Sequence, residues 1–242
     1  MRVLVFDIWG DFAHFKKFYT TSSPLTFSFP PPPTVKGMLA AIIGINRHEE
    51  DYLYLLRNEV CRVGVRILHP IRKTRLGLNQ IDTKDDYWQP VERSGRGGRT
   101  PIRAEFVKFP AYRIYVHLAA TDLYVQLKDC LQQHRSYYTF SLGLSELLGD
   151  FRFVGEKDVE EKEEMMEERE CFTVIPVSLL AEKGLVIEPD KTYFKERVPV
   201  EMIPGREVVR YEDVIFDPNG RGIKARLSRY WEADDGECIA FF

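Results

Sequence analysis

The chain has 242 residues and is 44% hydrophobic, which is enough apolar material for a substantial core in one domain or in a large and a small one. No apolar run approaches the length that spans a bilayer, and a strand-like run begins almost at Met1, so we expect a cytoplasmic protein without a leader. The four cysteines are widely scattered with no C-x-x-C pair, which argues against a zinc site or a disulfide framework.

The formal net charge of −3 conceals a strong segregation of charge along the chain. Residues 156–170 contain nine acidic and three basic residues, a net −6, so the remainder of the chain carries +3. Between Arg62 and Arg113 there are twelve Lys or Arg against five Asp or Glu, a local +7. We therefore expect a basic surface of the kind that holds nucleic acid.

The first predicted element is a strand from Val3 to Ile8, which is apolar on both faces and therefore suits the middle of a sheet. After Gly10, aromatic and basic residues interleave, a mixture that stacks bases and neutralises phosphates. The alternative is that the phenylalanines anchor a loop in the core and only the lysines meet water, and we expect both to hold in part. The candidate RNA-binding residues here are His14, Lys16, Lys17 and Tyr19.

A short helix ending at Gly44 is predicted next, because its apolar residues recur at helical spacing. We expect residues 30–33, all proline, to lie outside it and Thr34 to cap it. The helix start would then offer free N–H groups, with Lys36 in the first turn and Gly37 permitting close approach, so these three residues form a candidate phosphate site. The alternative is an ordinary helix start with a solvated Lys36 and a tightly packed Gly37.

A capping box at Asn46 and Glu49 predicts a second short helix through Leu56, and a half-buried strand with a basic outer face is predicted from Val60 to Leu68. From Arg72 to Phe109 the hydrophobic pattern fails. Residues 93–103 combine arginine and glycine without any acid, which favours either phosphate contacts or a disordered basic loop. The candidate RNA-binding residues of this region are Arg72, Lys73, Arg75, Arg93, Arg96, Arg99 and Arg103.

Regular structure resumes with a predicted strand over 112–118, a helix from Thr121 to His134 and a strand over 151–154. The resulting order of strand, helix, strand, strand, helix, strand is that of an α+β, ferredoxin-like fold with a long insertion between its second and third strands.

The acidic block 156–170 is too charged to pack by itself, so we expect a solvated linker or helix that marks a domain boundary. Residues 171–242 are punctuated by prolines, as expected for a small antiparallel sheet. Within them, residues 219–229 combine glycines with basic residues that would suit phosphate, although 217–220 is also an ordinary turn sequence. The candidates are Arg221, Lys224 and Arg226.

The five histidines show no metal-ligand spacing and the chain contains no P-loop, so we expect no metal, no cofactor and no nucleotide hydrolysis. Metal-free RNA cleavage requires only a histidine base with a lysine or tyrosine nearby, which spacing does not exclude. His14 is the better candidate for such a base, since His117 lies in a predicted strand.

The run from Phe12 to Gly44 resembles the N-terminal signature of one protein family. It is similar to the RAMP-superfamily subunit of CRISPR surveillance complexes, the fifth CRISPR-associated (Cas) family, and most closely to its type I-B (Hmari-type) branch. Downstream the resemblance thins to residues 110–116 and 142–146, and little of it remains beyond about residue 155. The matching pieces are Ala13-His-Phe-Lys-Lys17, Tyr19-Thr-Thr-Ser-Ser-Pro-Leu-Thr26, the prolines, and Gly37-Met-Leu-Ala-Ala-Ile-Ile-Gly44.

The resemblance implies a ferredoxin-like domain over 1–155 whose insertion, at about 76–108, is a thumb. It further implies a non-catalytic RNA-binding subunit of a Cascade complex in antiviral defence, which caps one end and grips the 5′ handle of the guide RNA. The implied partners are the backbone RAMP subunits, the large subunit and, through the assembled complex, target DNA. Type I-C relatives process precursor guide RNA, whereas the type I-B pattern implies a separate nuclease. A metal-independent endoribonuclease remains the alternative.

Overall fold

The computed structural model describes residues 1–17, 20, 23–46, 51–81, 99–163 and 167–242. Their regular structure is mostly strand, with α1 (Pro32–Ile43), α2 (Tyr52–Leu55), α3 (Thr121–Gln132) and a 3-10 turn at Val177–Leu179. The strands of the first half are β1 (Arg2–Gly10), β2 (Phe12–Ala13), β3 (Cys61–Ile67), β4 (Arg72–Ile81), β5 (Arg99–Lys108), β6 (Ala111–Leu118) and β7 (Gly149–Lys162). Those of the second half are β8 (Glu168–Cys171), β9 (Ile175–Pro176), β10 (Leu180–Leu185), β11 (Phe194–Ile203), β12 (Glu207–Phe216), β13 (Ile223–Leu227), β14 (Tyr230–Ala233) and β15 (Cys238–Ile239).

The largest sheet has nine strands in the order β10-β13-β8-β15-β14-β7-β1-β6-β3. β1 pairs antiparallel with β6 on one side and β7 on the other, which confirms the prediction of a central strand at Val3 to Ile8. The predicted strand over 60–68, the strand over 112–118 and the helix from Thr121 are confirmed as β3, β6 and α3.

The two faces of β1 bury different residues, because successive side chains of a strand point to opposite sides. Leu4, Phe6 and Ile8 pack into a core that also contains the apolar residues of α1 and α3. Val3 and Val5 pack into a second core built from the C-terminal strands. Both faces of the central sheet are therefore covered, the first by helices and the second by the end of the chain.

α1 begins three residues earlier than predicted. Its N-cap is Pro31, and Pro32 and Pro33 occupy its first turn, so the placement of these two prolines outside the helix and of Thr34 as its cap was wrong. Proline suits the first helical positions because it has no N–H to satisfy and its φ is already helical. The helix ends as predicted at Gly44, whose φ of +82° is left-handed.

α2 begins after Asp51, whose carboxylate accepts a hydrogen bond from the backbone N–H of Leu53 at 2.8 Å. The expected capping box at Asn46 and Glu49 therefore does not open this helix, and Glu49 lies outside the described residues. An aspartate one residue before the helix satisfies the same unpaired amides with a shorter reach.

The region from Arg72 to Phe109, where the hydrophobic pattern fails, contains a regular hairpin. β4 and β5 pair antiparallel without a register shift from Arg72 opposite Lys108 to Ile81 opposite Arg99. Most of β4 is exposed, so its side chains do not need to alternate between apolar and polar. The sequence pattern therefore did not predict this hairpin. The intervening residues, with Arg93 and Arg96, lie outside the described part of the chain.

The acidic block is not a linker or helix over its first half. Residues 156–162 are the end of the fourteen-residue strand β7, which pairs with β1 as far as Asp158 and with β14 from Val159. The ladder hydrogen bonds hold this stretch, and the side chains that alternate outward carry the charge. One sheet thus joins strands from both sides of the expected boundary, although the C-terminal residues do form the predicted antiparallel strands.

Two smaller sheets complete the fold, in the orders β11-β12-β9 and β2-β5-β4. Within the described ranges, no helix has both the length and the apolar character needed to cross a membrane.

Candidate nucleic-acid interface

Two segments that are far apart in the sequence, one at His14 and one at 142–146, are in direct contact in the structure. The backbone N–H of His14 donates to the carbonyl oxygen of Leu142 at 3.0 Å. Gly143 follows with a φ of +110°, and a Cβ atom on it would lie 2.0 Å from the carbonyl oxygen of His14. Only glycine allows these two segments of the backbone to approach this closely.

His14 itself lies in the interior, with 4% of its surface exposed. Its Nδ1 is 2.7 Å from the carbonyl oxygen of Glu105, and its ring packs against Phe106 at a centroid distance of 5.4 Å. This burial contradicts the expectation that His14 faces RNA, and it does not suit the general base of the endoribonuclease alternative, because the ring packs between the segment after β2 and β5.

The lysines after His14 differ in exposure. Lys16 is exposed, whereas the ammonium of Lys17 lies 2.5 Å from a carboxylate oxygen of Glu196. Phe15 is buried, as the core-anchor alternative requires. Tyr19 lies outside the described residues.

The start of α1 lacks the free amides on which the predicted phosphate site depended. Pro32 and Pro33 have no N–H group, and the N–H groups of Thr34 and Val35 both donate to the carbonyl oxygen of Pro31, at 2.8 and 3.1 Å. A helix start binds anions through unpaired N–H groups, so this mechanism is not available here.

The side chain of Lys36 is also too buried to contact a phosphate group. Only 4% of its surface is exposed, and its ammonium donates to Oδ1 of Asn58 at 2.6 Å. Burial lowers the pKa of this lysine, since a charged ammonium is less stable away from water. Gly37 has the ring of Tyr52 against its open side at 3.6–3.7 Å, so tight packing, the alternative, is right for this glycine.

Thr34 and Gly37 nonetheless line the wall of a cleft of about 350 Å³ beside α1. The other polar side chains of the lining are those of Tyr52, Thr139, Ser141 and Arg206, the last from the turn between β11 and β12. Sequence reasoning missed Ser141 and Arg206. The Pro204-Gly205 pair marks a turn, but no local pattern places that turn beside a helix about 170 residues earlier.

The β4–β5 hairpin carries exposed basic residues, most of which have no acidic partner in the part of the chain that the structure describes. Residues directly opposite in an antiparallel pair share a face, so Lys73, Arg75 and Arg103 lie on one face, with Arg72 and Lys108 on the other. Lys73 is tied down, as its ammonium donates to the carbonyl oxygen of Thr26 at 2.8 Å and lies 3.5 Å from Glu105.

The remaining four residues, called here the hairpin cations, are exposed and form no ion pair with any residue that the structure describes. They are Arg72, Arg75, Arg103 and Lys108. Lys108 is an addition to the residues expected from sequence, and Arg99, at the far end of the ladder, is described only in its backbone.

Comparison with known proteins gives the family of this chain. The family model described as CRISPR-associated protein (Cas_Cas5) matches residues 3–213. The chain belongs to this CRISPR-associated family. No curated protein sequence matches it.

Among solved structures, a CRISPR protein from Archaeoglobus fulgidus is 14% identical with a TM-score of 0.58, and the match covers 99% of this chain and 98% of that one. A chain of a CRISPR RNA-guided surveillance complex is 13% identical with a TM-score of 0.53, covering 92% of this chain and 91% of that one. At these identities the likeness shows a shared fold.

In this member of the CRISPR-associated family, residues 217–220 form a turn at the start of the basic segment 219–229. The sequence analysis gave such a turn as the alternative to a phosphate site. The N–H of Gly220 donates to the carbonyl oxygen of Asp217 at 2.9 Å. Arg221 donates from Nε to the buried carboxylate of Asp217 at 2.9 Å. Lys224 and Arg226 lie 3.3 and 3.6 Å from the carboxylates of Glu188 and Glu168. All three predicted candidates are thus ion-paired, and Arg221 has a structural role.

The histidines of the described residues belong to no group of three or more potential metal ligands. Nδ1 of His117 lies 2.8 Å from the carbonyl oxygen of Arg2, and burial lowers the pKa of its ring, assisted by the nearby charges of Arg62 and the N-terminus. This half-buried histidine is anchored between two strand ends, which suits a structural role.

Proposed function

We propose that this chain is an RNA-binding subunit of a type I CRISPR Cascade complex, which grips and caps the 5′ handle of the guide RNA. The observation that carries the proposal is the set of four hairpin cations, exposed and without acidic partners among the described residues, in a chain of a CRISPR-associated family. The phosphate backbone of an RNA would supply the negative charges that these four cations lack among the described residues.

The geometry of the hairpin favours a phosphate backbone as its ligand. Arg75 is opposite Glu105, and Arg103 is opposite Gly77, so the two arginines are diagonal neighbours on one face. A Cβ atom added to Gly77 would meet nothing within 4 Å, so the space beside Arg103 is open. Like charges placed this close repel one another, and binding of phosphates relieves that repulsion.

We assign β7-β1-β6-β3, with α1 and α3, as a ferredoxin-like unit and the hairpin as its thumb. The strand order and the two helices in one core support the assignment. Proteins with related sheets stack RNA bases on the exposed sheet face. Here the second face is buried, since Val3, Val5 and Tyr115 pack against the C-terminal residues. This burial supports RNA binding beside the sheet, where the hairpin offers an exposed basic surface.

The salt dependence of RNA binding tests this proposal. Replacing Arg72, Arg75 and Arg103 by glutamine should make the log-log salt slope shallower by about 2, at about 0.7 per single-strand phosphate contact. The loss should be similar for guide RNA and for unrelated RNA, because phosphate contacts carry no base information.

A matched control replaces three cations that have carboxylate partners elsewhere, Arg57, Arg135 and Lys195, by glutamine. Its slope should equal that of wild type. If the hairpin variant keeps the wild-type slope but no longer joins the backbone subunits, the hairpin binds protein and the proposal is wrong for this surface.

We propose further that the subunit is not a nuclease and that the type I-B branch, with a separate processing enzyme, is the correct one. The burial of His14 and the backbone anchoring of His117 support this, since a general base must reach its substrate. Incubation of the purified protein with repeat RNA in EDTA should leave the RNA intact. Site-specific cleavage that is lost in folded His117→Ala protein would instead support the endoribonuclease alternative.

A further inference from the structure

The hairpin cations do not by themselves recognise a sequence, because contacts to phosphates carry no base information. A subunit that holds one particular stretch of RNA needs a second surface that touches bases. The cleft beside α1, of about 350 Å³, has the size of a small-ligand site. It is formed by α1, α2, the segment after α3 and the turn between β11 and β12, so only the folded chain creates it.

Arg206 gives this cleft a positive charge without a countercharge. It is the charged residue of the described lining, which contains no acidic residue. Arg206 is exposed and forms no ion pair with any residue in the described part of the chain. Its φ of +65° lies in the left-handed region that favours glycine, and strained backbone of this kind is frequent at ligand sites. The cleft therefore offers a guanidinium group to an anion.

Three hydroxyl groups of the same lining are available to a ligand. They belong to Thr34, Thr139 and Ser141, and none of these side chains makes a hydrogen bond with a residue that the structure describes. A hydroxyl group rotates and can either donate or accept. These groups therefore suit a ligand edge that carries donors and acceptors side by side, as the edge of a nucleic-acid base does. The paired amides at the start of α1 are not needed.

Much of the remaining lining is apolar. Met38 from α1 and Met202 from β11 contribute thioether side chains, and Pro33 contributes its ring. Methionine sulfur makes favourable contacts with aromatic rings. The cleft thus combines an apolar surface for a flat ring, hydroxyl groups for the edge of that ring and a cation for a phosphate group.

We propose that this cleft binds one unstacked nucleotide of a single-stranded RNA, with its base against the methionines, the edge of the base at the hydroxyl groups and a phosphate at Arg206. Sequence-specific recognition of RNA generally uses unstacked bases in this way. The inference rests on the proposed RNA binding and deepens it, because the hairpin supplies affinity for any RNA and the cleft supplies a base preference. A base that leaves the hydroxyl groups unmatched binds less tightly.

Binding of labelled oligo(A), oligo(C) and oligo(U) of equal length measures this base preference directly. Wild type should prefer one of the three. Replacing Thr34 by valine together with Ser141 by alanine should reduce the preference by at least about fivefold and leave the salt slope unchanged. The matched control replaces Thr192 by valine and Ser145 by alanine, two exposed residues outside the described lining, and should keep the wild-type preference.

Arg206→Gly separates a binding role of this arginine from a structural one. Glycine adopts the left-handed backbone without strain, so the variant should melt no lower than wild type. Loss of one phosphate contact should weaken the binding of all three oligonucleotides and make the salt slope shallower by about 0.7.

The cleft proposal and the proposed RNA binding fail in different ways. Equal binding of the three oligonucleotides by wild type, or a wild-type preference in the Thr34 and Ser141 variant, overturns the cleft proposal, while the effect of the hairpin variant on the salt slope still tests RNA binding. If wild type binds none of the oligonucleotides, both proposals are wrong.

Two further outcomes assign the cleft to another ligand and also overturn the proposal. If Arg206→Gly keeps its RNA affinity but no longer joins the backbone subunits, the cleft binds protein. If a nucleoside 5′-monophosphate binds at a lower concentration than any of the oligonucleotides, and Arg206→Gly abolishes that binding, the ligand is a free nucleotide.

Discussion

Lys36 is a cation that the fold keeps away from water. Its ammonium has Asn58 as a partner, while the Nδ2 group of that asparagine is buried without an acceptor among the described residues. The desolvation of a charged group in this position is unfavourable for folding, and a single neutral partner offsets it only in part. The pKa of Lys36 is lowered for this reason.

This lowered pKa predicts a pH dependence of stability with a definite sign. As pH rises from the lowered pKa of the folded state towards the ordinary value of 10.5, the unfolded chain keeps the proton on Lys36 and the folded chain loses it. Stability rises wherever the unfolded state binds more protons. The free energy of unfolding of wild type should therefore increase relative to that of Lys36→Met across this window.

Urea unfolding at pH 7 and pH 10 measures the difference between the two proteins, in which the titration of groups that do not interact with Lys36 cancels. Lys195→Met, at a largely exposed lysine, is the control for loss of one charge. A difference between wild type and Lys36→Met that stays constant or falls with pH would contradict the assignment of Lys36 as a desolvated ammonium.

At the scale of elements, sequence patterns predicted those parts whose burial repeats regularly. β1, β6 and α3 were predicted because a core lies on one or both of their faces. The β4–β5 hairpin and the end of β7 were not, since their side chains largely face solvent and only backbone pairing defines them. The prediction that Lys36 meets solvent or phosphate was wrong for a related reason. α1 is buried on nearly all sides, and only a narrow stripe at Thr34, Gly37 and Ala41 is partly exposed.

The contact between β2 and the segment after α3 depends on one glycine. Gly143→Ala should destabilise the protein by about 2 kcal/mol or more, because it combines a strained positive φ with a Cβ atom 2.0 Å from the carbonyl oxygen of His14. Gly77→Ala is the matched control, since nothing lies within 4 Å of its added Cβ atom. Urea unfolding distinguishes the two, and equal stability of both variants would show that the backbone at Gly143 moves aside easily.

At the scale of the whole molecule, the nine-stranded sheet explains why composition misled the prediction of a linker or helix over residues 156–162. A block with net −6 resembles a linker when charge alone is considered. Side chains on the solvent face of a strand are free to carry such charge while their backbone joins two halves of a sheet. Here β7 does this, since β1 pairs with its first part and β14 with its last. The position of a pairing partner some 70 residues away is not encoded in any local pattern.

The shared sheet predicts that residues 1–163 do not fold alone. Their removal from residues 167–242 would expose Val3, Val5 and Tyr115, and would also take Val198, Val214 and Phe216 out of the first core. Each Å² of apolar surface exposed in this way costs about 25 cal/mol, and a typical domain has only about 5–15 kcal/mol of stability in total. The isolated fragment should therefore aggregate or lack a cooperative urea transition.

As a control, the intact chain with a protease site inserted between residues 163 and 167 should stay folded after cleavage, because the strands remain paired. If the fragment alone unfolds cooperatively with the midpoint of the intact protein, the two halves are independent domains and the boundary lies where the acidic block suggested.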